Sequence, residues 1–280
     1  MNTHWYSRVN YADPRITRTD FRITRRCRRQ LKDTRGVAHA LADYFKTQRL
    51  LPQEIEQWNK SLSSNSPLEE TLAQKIRWAL AEGVLRDDLL TVDEDAFIGT
   101  CGQLLFKWVR SQYYAGEILY SSPKLLTDSS KKQGIDCFEI LGDSTDISSL
   151  NFIVWEVKAT DDDVASRTNE IYAMHKNRTP RLLRGLQLQL CLEYPEDKYP
   201  VIGTFVQQIL DHWQNNTVCK RLGGAVIFDT TANPRAVFTT FHTQFPELHS
   251  SICRQVILIE VPKFRRTRRN LWKYLQSQIY

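Results

Sequence analysis

The chain has 280 residues, of which 41% are hydrophobic, and a formal net charge of +6. This composition is sufficient to bury a sizeable core in one or two domains. Six cysteines are scattered along the chain without a CxxC pair, which argues against a zinc site or a disulfide framework and is typical of reduced thiols. No apolar run has the length of a bilayer span, and the first residues carry no apolar signal core. We therefore expect a soluble cytoplasmic protein without a membrane partner.

The charge is distributed unevenly. Residues 1–35 hold ten Lys and Arg against three Asp, and residues 263–280 hold six basic residues and no acid. The N-terminal cluster is Arg15, Arg18, Arg22, Arg25, Arg26, Arg28 and Arg29. The C-terminal cluster is Lys263, Arg265, Arg266, Arg268, Arg269 and Lys273, interleaved with Phe264, Trp272 and Tyr274. Such patches bind phosphate backbones and stack on bases. The alternatives are a solvated face or a surface that docks an acidic protein.

The first part of the chain is predicted to be a basic, helical region over residues 1–90. Residues 1–35 show no clear period. A helix follows from about Val37, and the loop at 61–66 is the best candidate boundary. The run Ser66-Pro67-Leu68-Glu69 combines an N-cap, a proline in the first turn and a capping-box glutamate, so it predicts the start of another helix.

The remainder, residues 91–280, is predicted to be an α/β domain with a basic C-terminal tail. A helix is expected from about Asp93 to Tyr114 and a strand at Glu117 to Ser121. After two further strands, a helical pattern extends towards Tyr194 and presents Arg178, Arg181 and Arg184, either to a phosphate backbone or to solvent. We then expect a helical stretch at 205–213, strands at 225–228 and 256–261, and a last helix at 270–278. This order fits a mixed central sheet flanked by helices.

Two short segments carry the predicted chemistry. Asp136 follows Gly134-Ile135 at the start of an apolar run, and Glu156-Val157-Lys158 ends the next one. Side chains alternate along a strand, so Glu156 and Lys158 point to the same face. The linker Leu141-Gly142-Asp143-Ser144-Thr145-Asp146 is rich in turn residues, so the two runs can pair as a hairpin that places Asp136 beside them. Two carboxylates and a lysine are what a hard cation and an attacking water need for phosphodiester cleavage.

The alternative for Glu156 and Lys158 is an ordinary solvated strand face. The triplet Glu196-Asp197-Lys198 has the same spacing, but it lies between Pro195 and Pro200 and is predicted to be a loop. The run at 161–163, three consecutive aspartates, can bind a second cation or cap the next helix.

With these residues, the chain resembles the PD-(D/E)XK nuclease superfamily, and within it the HamA-type effector nucleases of Hachiman anti-phage systems. The resemblance covers roughly residues 94–230 and implies that Asp136 and Glu156 bind the metal while Lys158 orients or activates water. Family members often carry a further glutamate on the preceding helix, where this chain has Gln103. Some relatives have a Gln and a Tyr on the following helix, a pattern that Gln187 or Gln189 with Tyr194 approaches.

The predicted function is therefore a Mg²⁺- or Mn²⁺-dependent deoxyribonuclease, with the cation held by Asp136, Glu156 and the backbone carbonyl of Val157. The resemblance implies an anti-phage role and a helicase partner. The alternative is a non-catalytic nucleic-acid-binding or scaffold subunit that retains the fold, which the amide at Gln103 favours.

Overall fold

A computed structural model describes residues 6–13, 15–23, 34–64, 69–81, 92–113, 118–122, 135–232 and 237–277. The strands are β1 (Tyr6–Asp13), β2 (Ile16–Ile23), β3 (Ile118–Ser122), β4 (Cys137–Leu141), β5 (Asn151–Thr160), β6 (Lys220–Asp229) and β7 (Arg254–Val261). The helices are α1 (Thr34–Arg49), α2 (Pro52–Ser64), α3 (Glu70–Ala81), α4 (Glu94–Tyr113), α5 (Val164–Asn177), α6 (Thr179–Glu193), α7 (Pro200–Gln207), α8 (Ile209–Gln214), α9 (Phe241–Gln244) and α10 (Phe264–Ser277).

The strands form one mixed sheet in the order β1-β2-β7-β6-β5-β4-β3. Strands β2, β7, β6 and β5 run parallel to one another. The outer pairs β1/β2, β5/β4 and β4/β3 are antiparallel. The prediction of a mixed α/β sheet flanked by helices is confirmed. Within the described residues, no helix is both long and apolar enough to cross a membrane.

The prediction of a basic, helical region over residues 1–90 is wrong for residues 6–13 and 16–23, which are strands. These residues form β1 and β2, and β2 pairs with β7 from the opposite end of the sequence. The two helices expected in the N-terminal region are present as α1 and α3. Helix α2 lies between them, so the loop predicted at 61–66 is wrong for residues 61–64, which belong to α2. The predicted boundary at residue 90 and the run at 65–68 lie outside the described residues, so both stay predictions.

Each face of the sheet carries its own hydrophobic core. On the first face, Ile153, Trp155, Val157 and Ala159 of β5 contact a core that includes α1, α4 and α10. On the second face, Phe152 and Val154 join a core formed with α5 to α8. The strict alternation along β5 means that both faces of this strand are buried, as expected for a strand with parallel and antiparallel neighbours in mid-sheet.

Two predicted helices have different limits in the structure. The pattern running towards Tyr194 is two helices, because Pro180 starts α6 where its missing N–H and fixed φ would break a continuous helix. The last helix begins at Phe264, six residues earlier than predicted, because the Oδ2 atom of Asp229 accepts a 2.6 Å hydrogen bond from the Phe264 N–H.

An ion pair is buried between α4 and the sheet. The Arg110 guanidinium donates from Nε to Oε1 of Glu139 at 3.2 Å and lies 5.2 Å from the centre of the Trp155 ring. The Trp155 indole N–H donates to Oε2 of Glu139 at 2.8 Å. The Arg110 and Glu139 side chains are 4% and 1% exposed. Loss of one partner would therefore leave a charge in a low-dielectric interior.

We expect Arg110→Met to lower the free energy of unfolding by about 3–5 kcal/mol, since it leaves the Glu139 carboxylate buried without its cation. Urea unfolding followed by far-UV circular dichroism measures this. The matched control is Arg167→Met, which breaks an ion pair with Glu170 whose side chains are 40% and 41% exposed. That change should cost less than about 1 kcal/mol. Equal losses in the two variants would contradict the structural role of the buried pair.

Candidate active site

The β4–β5 hairpin brings the predicted site residues together. Cys137 pairs with Trp155 at the open end of the hairpin, so Asp136 lies opposite Glu156. The connecting turn depends on Gly142, which has φ +124° and where a Cβ would lie 2.6 Å from the Ser149 carbonyl oxygen. Only glycine adopts this conformation without strain. Gly134 of the predicted motif lies outside the described residues.

The Asp136 carboxylate extends the hairpin where the backbone ladder stops. Its Oδ2 atom accepts a 2.7 Å hydrogen bond from the Val157 backbone N–H. Its Oδ1 atom accepts a 2.5 Å hydrogen bond from Nε2 of Gln103. In an extended strand the N–H and C=O of one residue face the same neighbour, so the Val157 carbonyl also faces the Asp136 side. The structure thus brings Asp136, Val157 and Gln103 into contact, and their roles as metal ligands or accessory groups stay predictions.

Glu156 and Lys158 form an ion pair on one face of β5. The Lys158 Nζ atom lies 2.7 Å from Oε1 of Glu156. The Glu156 side chain is 5% exposed and that of Lys158 is 30% exposed. The lysine is therefore the member of the site that reaches solvent, while the carboxylate is enclosed.

The two carboxyl groups are held in an unfavourable environment for negative charge. Burial raises the pKa of Asp136, against the lowering effects of Lys158 and the Val157 N–H. Burial, followed by the adjacent Asp136 charge, raises the pKa of Glu156 well above its usual range. Burial acts to lower the pKa of Lys158, but the charges of Glu156 and Asp136 together outweigh it and raise that pKa. The site therefore contains a protonated lysine and a carboxyl pair that retains a proton above the usual carboxyl range.

Close contact between α4 and β5 positions Gln103. A Cβ at Gly102 would lie 2.7 Å from the Cβ of Ala159, so the helix approaches the strand at a distance that only glycine allows. The neighbouring Gln103 side chain then reaches Asp136. A larger residue at position 102 would push α4 away from the site.

Gln187 of α6 and Tyr194, which directly follows this helix, serve packing. The Gln187 amide donates to the carbonyl oxygens of Val206 at 2.9 Å and Gln207 at 2.7 Å, which ties α6 to α7. Tyr194 contacts the ring of Tyr120 edge-on at 5.6 Å. These contacts account for Gln187 structurally, and its accessory role at the site stays a prediction.

The predicted phosphate-binding arginines fall into two groups. Arg265, Arg266 and Arg269 of α10 are exposed, as are Arg181 and Arg184 of α6. Arg268 is different: its side chain is 4% exposed and is paired with Asp161. The prediction that Arg268 contacts phosphate is therefore wrong, because its guanidinium is enclosed and already engaged.

The aspartates after β5 have structural partners. Asp163 caps α5 by accepting a 2.9 Å hydrogen bond from the Ser166 N–H, as one of the two predictions for this run had it. The run Glu196-Asp197-Lys198 is a turn, which confirms its assignment as a loop.

Sequence reasoning missed Glu170 of α5, whose charge also raises the pKa of Lys158, because no local pattern fixes the rotation of α5 over the sheet.

No protein family matches the chain, and a comparison with curated proteins finds no significant similarity. Among the described residues, no cluster of three or more His, Cys, Asp and Glu side chains is arranged to hold a metal ion. The geometry of Asp136, Glu156 and Lys158 is therefore the basis for assigning a function.

The raised carboxyl pKa values predict a pH dependence of stability in metal-free buffer. Between the ordinary carboxyl pKa, about 4, and the raised values, the folded protein binds more protons than the unfolded chain. Stability should therefore fall as pH rises through this window. We expect Glu156→Gln to raise the urea midpoint at neutral pH and to flatten this pH dependence.

Urea midpoints between pH 4 and pH 8 in the presence of EDTA measure the effect. The matched control is Glu196→Gln, which changes an exposed glutamate with the same Glu-x-Lys spacing and should leave the pH profile unchanged. A Glu156→Gln variant with the wild-type pH profile would show that the buried pair does not carry the effect.

Proposed function

We propose that this protein is a Mg²⁺- or Mn²⁺-dependent phosphodiesterase that cleaves DNA. The observation that carries the proposal is the meeting of Asp136, Glu156 and Lys158 at the open end of the β4–β5 hairpin. An ordinary solvated strand face would leave these groups in water. Here Glu156 is enclosed, while Asp136 and Lys158 are half-buried.

The donor set fits a hard divalent cation. The carboxyl groups of Glu156, which is buried, and Asp136, which is half-buried, share one lysine, so the site holds more potential negative charge than its own cation neutralises. Mg²⁺ typically binds through one or two carboxylates and keeps several waters, so a cluster of three acids is not required. Asp136 and Glu156 would hold the cation, with the Val157 carbonyl as the third oxygen. When bound, it would supply Lewis-acid stabilisation of phosphoryl charge and a more acidic water.

The remaining residues position these groups. The Gln103 amide and the Val157 N–H fix both oxygens of Asp136, so this carboxylate cannot rotate away from Glu156. Lys158, held by Glu156 and open to solvent, places a positive charge where it can orient a water or a phosphate oxygen. Such preorganised charge is the usual source of catalysis in phosphoryl transfer.

A DNA substrate is supported by charge. The chain carries a net charge of +6, and five of the six predicted phosphate-binding arginines are exposed on α6 and α10. Basic surfaces attract the phosphate backbone through counterion release, independently of sequence.

An anti-phage role with a helicase partner completes the proposal, and it depends on the resemblance to HamA-type effectors. A nuclease inside a cell must be restrained until it is needed. Two arginines of the N-terminal cluster form ion pairs within the sheet, Arg18 with Asp20 at 2.8 Å and Arg22 with Glu260 at 2.9 Å. The cluster therefore provides less positive charge for a partner than its composition indicates. Residues 24–30, which hold four further arginines of that cluster, lie outside the described residues.

We expect the purified chain alone to cut slowly and a co-purified partner to change its rate. The measurement compares plasmid cleavage by the lone chain and by the complex purified from the native operon. Complete plasmid degradation by the lone chain, at a rate that a partner leaves unchanged, would point to a free-standing nuclease instead.

A non-catalytic nucleic-acid-binding protein with the same fold is the second candidate. It is favoured by Gln103, which donates to Asp136 where an acid would add a metal ligand. The two candidates differ in one observable, which is cleavage that depends on a divalent cation.

Glu156→Ala and Lys158→Ala should each abolish nicking of supercoiled plasmid in Mg²⁺ or Mn²⁺, with a loss of at least about 100-fold as expected for removal of a group that stabilises transition-state charge. Lys198→Ala, in the exposed turn with the same spacing, should cut at the wild-type rate. Wild-type turnover in the Glu156 or Lys158 variant, at equal folded protein, would contradict the site. Absence of cation-dependent nicking in the wild-type protein would favour the second candidate.

A further inference from the structure

Helix α10 carries five basic residues, of which one is buried and four are exposed. Phe264, Thr267, Arg268, Leu271 and Leu275 are buried. The other four cations of the helix are exposed and lie on the opposite side, within an arc of about 100° at the α-helical period: Arg265, Arg266, Arg269 and Lys273. We refer to these four as the α10 stripe. Arg265, Arg269 and Lys273 are spaced four residues apart and so follow the helix axis over about 12 Å.

The buried arginine fastens this helix to the end of the site strand. The Arg268 guanidinium donates from Nη1 to Oδ1 of Asp161 at 2.9 Å and from Nη2 to Oδ2 at 3.1 Å. It also lies 4.8 Å from the centre of the Phe264 ring. Asp161 directly follows β5, three residues after Lys158. A bidentate bond of this kind fixes orientation as well as distance.

A second bond ties the start of α10 to the adjacent strand. The Phe264 N–H donates to Asp229, the last residue of β6. Because β5, β6 and β7 are parallel, their carboxyl ends lie at one edge of the sheet. Lys158 is near that edge, and α10 starts there after β7. Strand β7 lies two positions from β5, which corresponds to about 10 Å across the sheet.

These contacts would allow a DNA phosphate backbone bound at the site to reach α10 as well. Helix α10 packs on the first face of the sheet with Val157 and Ala159, whereas Lys158 points to the second face, so a DNA strand that reaches Lys158 would meet the α10 stripe by crossing this end of the sheet. Phosphates of one strand recur about every 3.4 Å along the axis, so several nucleotides would span that path. Residues 263–280 contain no acid that would neutralise the stripe from within. An acidic protein would also be attracted by such charge, but a continuous row of cations on a helix that starts at the same end of the sheet as a proposed phosphodiester-cleaving site favours a polyphosphate backbone.

We propose that the α10 stripe binds the phosphate backbone of the DNA being cut, and that Arg268 and Asp161 are positioning residues that hold the stripe at the edge of the sheet occupied by Lys158. This inference rests on the proposed function for its substrate class. It assigns different roles to neighbouring arginines: the exposed ones bind phosphate, and the buried one orients the helix.

The first experiment measures the salt dependence of binding to a fluorescent DNA duplex by anisotropy, in EDTA so that no cleavage occurs. Replacement of all four residues of the α10 stripe by Gln should reduce the slope of log K against log salt by about 0.9 for each phosphate that the protein no longer neutralises. The matched control replaces four other exposed cations, Lys60, Lys75, Lys176 and Lys198, by Gln. It removes the same net charge and should leave the slope near the wild-type value.

The second experiment tests the positioning role with a double-mutant cycle. Asp161→Asn should weaken DNA binding and reduce the salt slope in the wild-type chain, because α10 loses its charged anchor. In the variant that lacks the α10 stripe, the same change should have no further effect on binding. A merely structural loss would weaken binding to the same degree in both backgrounds, so non-additivity separates the two explanations.

Several outcomes overturn the inference. An unchanged slope in the stripe variant, an equal loss in the control, absence of DNA binding, or additive effects of Asp161→Asn each do so. Retention of DNA binding by the stripe variant together with loss of binding to polyglutamate would assign the stripe to an acidic protein instead. Failure of the proposed function is distinguishable, since it appears as absent cation-dependent nicking while the binding slope still responds to the stripe.

Discussion

The hydrogen bond from the Val157 N–H to Asp136 is the interaction on which the candidate site depends. The ladder between β4 and β5 ends at the Cys137–Trp155 pair, and a side-chain carboxylate takes the place that a backbone carbonyl would otherwise fill. One acidic residue therefore both terminates the hairpin and supplies a charge to the site. Any shift in hairpin register would move Asp136 away from Glu156 and would turn the apolar side chains of β4 to the wrong face.

This arrangement imposes a cost that the rest of the fold must offset. Two carboxyl groups whose pKa values are raised by desolvation disfavour the folded state wherever both are ionised. The sheet is buried on both faces around β5, which supplies hydrophobic stabilisation near the site. The same burial keeps water from the acids and strengthens their interaction with Lys158. A site that destabilises its own protein is typical of a functional constellation, since a purely structural strand gains nothing from it.

The sequence predicted the parts of the fold that local patterns determine. The alternation of β4 and β5, the turn residues between them and the long helix α4 are all confirmed. Strands β1 and β2 were missed because their stabilising partner, β7, lies more than 200 residues away in sequence, and their many polar residues give no apolar alternation. From composition alone, all the arginines of α10 were predicted to bind phosphate. Which one is buried depends on the rotation of the helix over Asp161 and Phe264, which only the tertiary structure fixes.

The two ion pairs around β5 have different roles: one stabilises the fold and the other belongs to the candidate site. Glu139 and Arg110, on the first face of the sheet, are both enclosed and satisfied with the help of Trp155, so they join α4 to the hairpin and leave no charge available. Glu156 and Lys158, on the second face, are enclosed at the acid and open at the lysine. Strand β5 thus places Trp155 in one pair and its neighbour Glu156 in the other, on opposite faces. The first pair holds α4, and therefore Gln103, in register with the strand, so that the oxygens of Asp136 are oriented before any ligand binds. Glu156 and Lys158 can then exchange their mutual contact for contacts with a ligand, because the side chains around them are already fixed.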